Sequence, residues 1–342
     1  MNDYQLSSYD YELPPELIAE RPVPDRHSSR LLVYDEATDT VRHTTFQNLP
    51  GFLPENSTIV FNRSKVFPCR LLGKKQTGGE AEVFLLTLTP VSDTYEALVG
   101  TTGKKKIGDT YFFGELTAQV VKINPRGTFQ VSFNVGPERL SEILEKVAKI
   151  PIPPYIRNGQ SDEEDKKTYQ TIYAKETGSV AAPTAGLHFS SELLQNLEKK
   201  HTLATVTLHV GIGTFAKVKG ENILDHKMHE EMYSIDQENL KKINEAKFRV
   251  AVGTTSLRTL ESYERSQEAS GATSIFLHPG VEVKSIDALI TNFHLPKSTL
   301  LMLVSSLIGR EKTLSLYRLA VEERYRFFSY GDGMLILRKP RA

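Results

Sequence analysis

The stretch FRVAVGTTSLRTLESYER, residues 248–265, joins two different periodicities through three small residues. Residues 248–252 are apolar and β-branched enough for a buried strand, whereas 255–265 carry leucines at helical spacing, Leu257 and Leu260. Gly253-Thr254-Thr255 between them supplies a turn and helix-capping hydroxyls. The same strand-and-helix alternation continues on both sides. A helix over 190–200 precedes a strand over 203–210, and a helix over 236–246 leads into 248–252. Downstream, a strand over 286–291 precedes a helix over 296–308, and a helix over 312–325 precedes a strand over 333–338. Strands alternating with helices imply an α/β layer with a largely parallel sheet. Ligands of such sheets collect at the carboxyl ends of the strands.

Residues 66–135 read differently: short runs of Val, Phe, Leu, Thr and Tyr are separated by glycine turns, as in GGEAEVFLLTLT and GTFQVSFN. Five or six short strands at this spacing predict a small antiparallel barrel. An amphipathic helix over 137–149, with Leu140, Ile143, Leu144 and Val147 on one face, returns the chain. The fold class is therefore α/β: a large, discontinuous mixed α/β domain, residues 1–65 and 150–342, with an inserted small antiparallel β-barrel domain at 66–149. A short helix over 13–20 and strands over 31–34, 40–46 and 57–61 open the chain. PIPPYI at 151–156 is extended, and the polar run 158–167 reads as a mobile surface loop before a helix ending near Lys175.

The 342 residues carry 42 Lys plus Arg against 42 Asp plus Glu, so any nucleic-acid contact must come from a local patch. One candidate is Lys104-Lys105-Lys106 at a barrel turn. The spaced cations Arg26, Arg30, Lys65 and Arg70 are another, read as phosphate-binding residues. The single cysteine, Cys69, excludes an intramolecular disulfide. The longest apolar stretch, 300–308, is too short to span a bilayer, and a cytoplasmic, monomeric protein is expected.

Chemistry-bearing residues fall at the expected strand ends. GSVAAPTAGLHF, residues 178–189, is a run of small residues around Gly186 that ends in His188; it reads either as a ligand-contacting loop or as a tightly packed bend. LHVGIGTF contributes His209, VGTTSLR contributes Thr254, Thr255 and Arg258, and ITNFHLPKST contributes Asn292 and His294. A helix amino terminus with Arg258 one turn inside suits phosphate, carboxylate or ribose hydroxyls. Gly211 to Ala216 matches a dinucleotide fingerprint in letters only, since no helix follows. His226 and His229 beside Glu230 and Glu231 invite a metal reading, but the spacing is weak and no metal is expected.

Ten segments taken together carry a resemblance, among them YELPPELIAERP, KVFPCRLLGKK, YQTIYAKETGSVAAPTAGLHF, TLHVGIGTF, HKMHEEMY, AVGTTSLRTLES, DALITNFHLPKSTLLMLVSSLIG and YRFFSYGDGMLI. In this order they closely resemble the S-adenosylmethionine:tRNA ribosyltransferase-isomerases of queuosine biosynthesis, from about residue 9 to 337. The resemblance implies movement of the ribosyl part of S-adenosylmethionine onto 7-aminomethyl-7-deazaguanine in tRNA, giving epoxyqueuosine, adenine and methionine. It implies tRNA and S-adenosylmethionine as partners, the latter a consumed substrate, and no cofactor. Its chemistry calls for proton transfer near neutral pH, which assigns His188, His209 and His294 as base or acid candidates. Gly186, Thr254, Thr255, Arg258, Asn292 and Asp332 are assigned to substrate, and Arg26, Arg30, Lys65 and Arg70 to tRNA. Three places depart from the family pattern: Arg63 after Asn62, His27 after Arg26, and Gly100-Thr-Thr-Gly103. They leave a diverged substrate, or a tRNA-binding protein without catalysis, as the competing readings.

Overall fold

Alternation with period two builds the main core. In a strand, every second side chain leaves the same face, and one apolar cluster collects Leu31, Val33, Ile59, Phe61, Val250, Val252, Ala288, Ile290 and Leu335 with Phe46, Ala185, Phe189, Leu193 and Leu197. The computed structural model describes residues 2–125, 127–215, 218 and 220–340, and the chain divides into two compact units. One comprises Met1–Ser64, Gln170–Glu176 and Pro183–Ala342, the other Lys65–Tyr169 and Thr177–Ala182. Besides the barrel, the second unit thus takes in residues 150–169 and Thr177–Ala182.

In chain order the strands are β1 (Arg30–Asp35), β2 (Thr40–Thr45), β3 (Thr58–Asn62), β4 (Ser64–Val66), β5 (Arg70–Lys75), β6 (Glu80–Leu85), β7 (Tyr95–Thr101), β8 (Thr110–Phe113), β9 (Leu116–Ile123), β10 (Phe129–Phe133), β11 (Glu176–Ser179), β12 (Thr202–Leu208), β13 (Glu231–Ser234), β14 (Arg249–Val252), β15 (Ser270–Thr273), β16 (Ala288–Asn292) and β17 (Gly333–Leu337). The helices are α1 (Pro137–Val147), α2 (Asp165–Thr168), α3 (Ser191–Glu198), α4 (Gln237–Asn244), α5 (Gly253–Ser266), α6 (Thr299–Ile308) and α7 (Arg310–Glu322).

The first unit is a nine-stranded sheet in the order β15-β13-β12-β3-β14-β16-β17-β1-β2. Parallel pairing is confined to the run β12-β3-β14-β16 and to β1 with β17. Both margins and the β16–β17 pair are antiparallel, so the sheet is mixed and less parallel than the helix-strand alternation suggests. The central strands β3 and β16 are buried at every residue, as strands covered on both faces must be. Helix α3 starts where Ser190 accepts the Leu193 N–H, and α4 where Asp236 accepts that of Asn239. Gly253 turns β14 into α5 at φ +85°, a conformation that a side chain resists.

The second unit contains a closed antiparallel barrel, β10-β7-β6-β5-β8-β9, filled by Leu71, Val83, Leu85, Ala97, Tyr111, Leu116, Ala118, Val120 and Val131. Helix α1 buries Leu140, Ile143 and Leu144, but Val147 is exposed because the helix ends there. The polar run 158–167 is ordered: Asp165 is fully buried, pairs with Arg157 and accepts the Asp162 N–H at 2.8 Å. No helix ends near Lys175. Residues 169–175 form turns leading into β11, with Lys175 and Glu176 N–H groups donating to the Arg63 carbonyl. The expected helix over 13–20 is only a single 3-10 turn, Pro15–Leu17. Among the described residues no helix is long and apolar enough to cross a membrane.

Candidate active site

Because β12, β3, β14 and β16 are parallel, their carboxyl ends share one edge of the sheet. The antiparallel register Asn292↔Gly333 brings the start of β17, and Leu31↔Gly333 the start of β1, to that same edge. β13 reaches it through the Leu208↔Tyr233 pairing. Residues 30, 62–64, 209–211, 231, 253–258, 292 and 332 therefore lie along a single rim, although they are far apart in sequence.

His188 is held there by a closed network. The loop before it is a 3-10 turn, Thr184–His188, and Thr184 Oγ1 donates to Asn292 Oδ1 at 3.0 Å. Asn292 Nδ2 lies 3.1 Å from both the Phe328 carbonyl and His188 Nε2. A carbonyl only accepts, so Nδ2 is the donor; Nε2 accepts and the ring proton sits on Nδ1. No protein partner among the described residues takes the Nδ1 proton. The ring stacks on Phe46, centroids 4.1 Å apart and 13° from parallel. Burial, followed by the charges of Arg326 and Arg26, lowers the His188 pKa to about 3, so the imidazole is neutral at pH 7.

Gly186 in this loop makes room for a neighbouring side chain. A Cβ on Gly186 would fall on the Tyr173 hydroxyl and within 2.8 Å of Thr171 Cγ2, so the glycine permits a close crossing. Asn292, read from sequence as a substrate contact, spends its amide on Thr184, Phe328 and His188. Asp332 likewise accepts the backbone N–H groups of Arg30 and Arg326 at 2.9 and 2.8 Å. Both residues position backbone and ring.

His209 follows β12, half-buried, with Nδ1 3.1 Å from Ser64 Oγ. Burial lowers its pKa, and the nearby Glu176 carboxylate opposes that shift. Beside it, Glu231 Oε1 accepts the Gly211 N–H at 2.9 Å and Oε2 pairs with Arg258 Nη1. Glu231 and Arg258 are 5% and 6% exposed. Arg258 Nε and Nη2 and the Thr255 hydroxyl are buried without a hydrogen-bond partner. Thr254 sits buried in the same first turn of α5. The start of α5 adjoins the His188 loop: a Cβ on Gly253 would lie 3.6 Å from Ala185 Cβ.

His294 belongs elsewhere. Thr291 and Asn292 are consecutive on β16, so their side chains leave opposite faces; Thr291 bonds His294 Nε2 at 2.8 Å while Asn292 bonds His188. His294 is buried, its pKa lowered to about 3 by that burial, and its backbone is held by the hydroxyls of Tyr11 and Tyr317. The three candidate histidines do not form one cluster.

Most of the expected tRNA cations are also occupied. Arg26 donates to the carbonyls of Gln170 and Leu187, at 3.0 and 3.4 Å, and so braces the His188 loop. Arg30 lies 3.8 Å from the Tyr325 ring centroid and donates to the Glu323 carbonyl. Arg70 is paired with Glu82 at 2.7 Å and donates to the Gly159 carbonyl. Lys65 alone of the four is exposed. The metal reading has no support among the described residues, where no three His, Cys, Asp or Glu residues are grouped for an ion. His226 packs against Phe276, and Gly213 lies against the His229 ring. Ile212–Phe215 is a 3-10 turn, unlike the helix that a dinucleotide fingerprint opens, and Ala216 lies outside the described residues. Sequence reasoning missed Phe46, which has no motif signal, and gave Glu231 no role beyond a metal reading that it set aside, although its place in HKMHEEMY marked it.

A family described as "Queuosine biosynthesis protein" matches residues 6–336. The S-adenosylmethionine:tRNA ribosyltransferase-isomerase of Clostridium kluyveri is 48% identical, and that of Natranaerobius thermophilus 45%; each alignment covers 97% of this chain and 99% of the relative. The Campylobacter jejuni protein of the same name is 46% identical over 98% and 99%. A crystal structure of S-adenosylmethionine tRNA ribosyltransferase from Thermotoga maritima is 35% identical, covers 97% of this chain and all of its own, and superposes with a TM-score of 0.55. On the family match, the near-complete mutual coverage and the shared fold, this chain belongs to the S-adenosylmethionine:tRNA ribosyltransferase-isomerase family of queuosine biosynthesis.

Proposed function

We propose that this protein transfers and isomerises the ribosyl moiety of S-adenosylmethionine onto 7-aminomethyl-7-deazaguanine in tRNA, forming epoxyqueuosine and releasing adenine and methionine. The observation that carries the reading is the 45–48% identity over 97% of this chain and 99% of relatives bearing that activity in their names. In the reaction the C1′–N9, C5′–S, one C5′–H and one ribose ring C–O bond break, while a carbon–nitrogen bond to the aminomethyl group, a C1′–C5′ bond that closes the carbocycle and a C5′–O bond of the epoxide form; of the two protons given up by C5′ and the amine, one goes to adenine and one leaves with the sulfonium charge. S-adenosylmethionine is thus a consumed substrate.

Two histidines divide the work, one taking a proton and the other donating a hydrogen bond. His209, kept neutral by its lowered pKa, accepts a C5′ proton acidified by the adjacent sulfonium. His188 is too weakly basic for that task; as a neutral Nδ1–H it donates a hydrogen bond to the departing adenine. His294, tied to Thr291 on the other face, orders the strand end. Lys65 remains as a tRNA phosphate contact.

The departures from the family pattern have structural roles. Arg63 pairs with Asp236 at 2.8 Å and bonds Thr205 and Thr207, His27 bonds Ser190 Oγ at 2.8 Å, and Gly100 lies within β7 opposite Glu82. The test incubates purified protein with S-adenosylmethionine and tRNA bearing the aminomethyl base. Adenine release matched by a ribosyl-derived mass gain in the nucleoside is expected, with no loss on adding a chelator. Absence of both products across several tRNAs overturns the reading.

A further inference from the structure

The Glu231–Arg258 pair leaves one part of a strong anion receptor unused. A guanidinium offers two paired edges, and the Nε–H and Nη2–H bonds form one of them, side by side and parallel. Glu231 Oε2 takes Nη1, on the other side of the group, while Oε1 is anchored by the Gly211 N–H. Nε and Nη2 are both buried and unpartnered in a residue only 6% exposed. Buried charged donors are costly to leave unpaired, so a partner is expected. One turn earlier on the same face of α5, the Thr255 hydroxyl is also buried and unpartnered. The arrangement is held between two elements: Glu231 comes from β13 and Arg258 from α5.

We infer that the Nε/Nη2 edge of Arg258 binds the α-carboxylate of the methionyl arm of S-adenosylmethionine in a two-point fork, with Thr255 hydrogen-bonding the same zwitterion and Glu231 fixing the guanidinium plane. This rests on the function proposed above. The ligand is a planar two-oxygen anion by the shape of the fork. Two sources exist in the reaction, the methionyl carboxylate and an RNA phosphate. Burial selects between them: a phosphate esterified on both sides carries two sugars to a group that is 6% exposed, whereas a carboxylate arrives at the end of a slim aliphatic chain. His209, two residues before Gly211, lies along the same rim, which puts the carboxylate fork and the proton acceptor at one strand end. Glu231 touches no substrate and acts as a positioning residue.

The test compares S-adenosylmethionine with its decarboxylated form, which keeps the sulfonium, ribose and adenine. Wild-type protein is expected to prefer the carboxylated compound by about 10- to 100-fold in kcat/KM, the worth of hydrogen bonds to a charged group. In R258K, which keeps the charge and loses the fork, the preference falls to near one while KM for tRNA is unchanged. Glu231→Gln retains part of the preference. Equal slowing of R258K on both compounds makes Arg258 structural and overturns the inference, and a raised KM for tRNA alone makes the edge a phosphate contact and overturns it too. If wild-type protein releases no adenine from either compound, the parent reading falls. Calorimetric binding of the two compounds to wild type and R258K then still decides the carboxylate site, and equal affinities overturn it.

Discussion

His188 and Arg258 are both buried, both polar and both set at one rim of the sheet, yet their hydrogen-bond accounts differ. His188 has one nitrogen locked by Asn292, its ring clamped on Phe46, and a single N–H left over. Arg258 has one nitrogen locked by Glu231 and a whole edge left over. A single directed donor suits one developing charge on a reacting atom; a two-point fork suits holding an anion that does not change during reaction. The difference predicts that damage around His188 appears in kcat and damage around Arg258 in KM for S-adenosylmethionine.

The largest expected effect is at the ring. His188→Gln should lower the rate of adenine release at saturating substrate by about 10²- to 10³-fold, as loss of one preorganised hydrogen-bond donor does. Asn292→Asp should follow it with a smaller loss, since the carboxylate no longer donates to Nε2 and frees the ring to exchange tautomers. A rate in N292D equal to wild type would mean that the tautomer does not matter. Gly186→Ala comes next, as a stability effect. The new methyl meets the Tyr173 hydroxyl, and overpacking of this kind costs about 1–3 kcal/mol. Thermal unfolding should show it, and G186A combined with Tyr173→Phe should recover part of the loss.

A separate effect, on stability alone, concerns pH. His188 and His294 have folded pKa values lowered to about 3 from the ordinary 6.5, so the unfolded chain binds more protons between these limits. Stability from both groups is present above about pH 6.5 and is lost as pH falls toward 3. Denaturant titrations should show this slope, shallower in H188Q and in His294→Gln; an unchanged slope in both variants would contradict the burial argument.

The architecture was readable where periodicity carries it. Leu257 and Leu260 marked α5, alternation with helices marked the central strands, and glycine-separated runs marked the barrel. Errors came where long-range partners decide. Residues 158–167 are polar enough to read as mobile, but a buried ion pair between Asp165 and Arg157 orders them. The parallel share of the sheet was overstated because helix-strand alternation does not reveal that β17 enters antiparallel to β16. At the site, residue type located the rim but not the use of each group. The carbonyls that Arg26 and Arg70 hold and the approach of Tyr173 to Gly186 leave no mark in residue type, and no spacing rule ties Asn292 to His188 across 104 positions.

Adenine release under a titration of S-adenosylmethionine, with tRNA saturating, tests the division most directly when wild type, H188Q and R258K are run together. The account predicts that R258K approaches the wild-type rate at high S-adenosylmethionine while H188Q stays slow at every concentration. Recovery of H188Q with R258K remaining slow would contradict it.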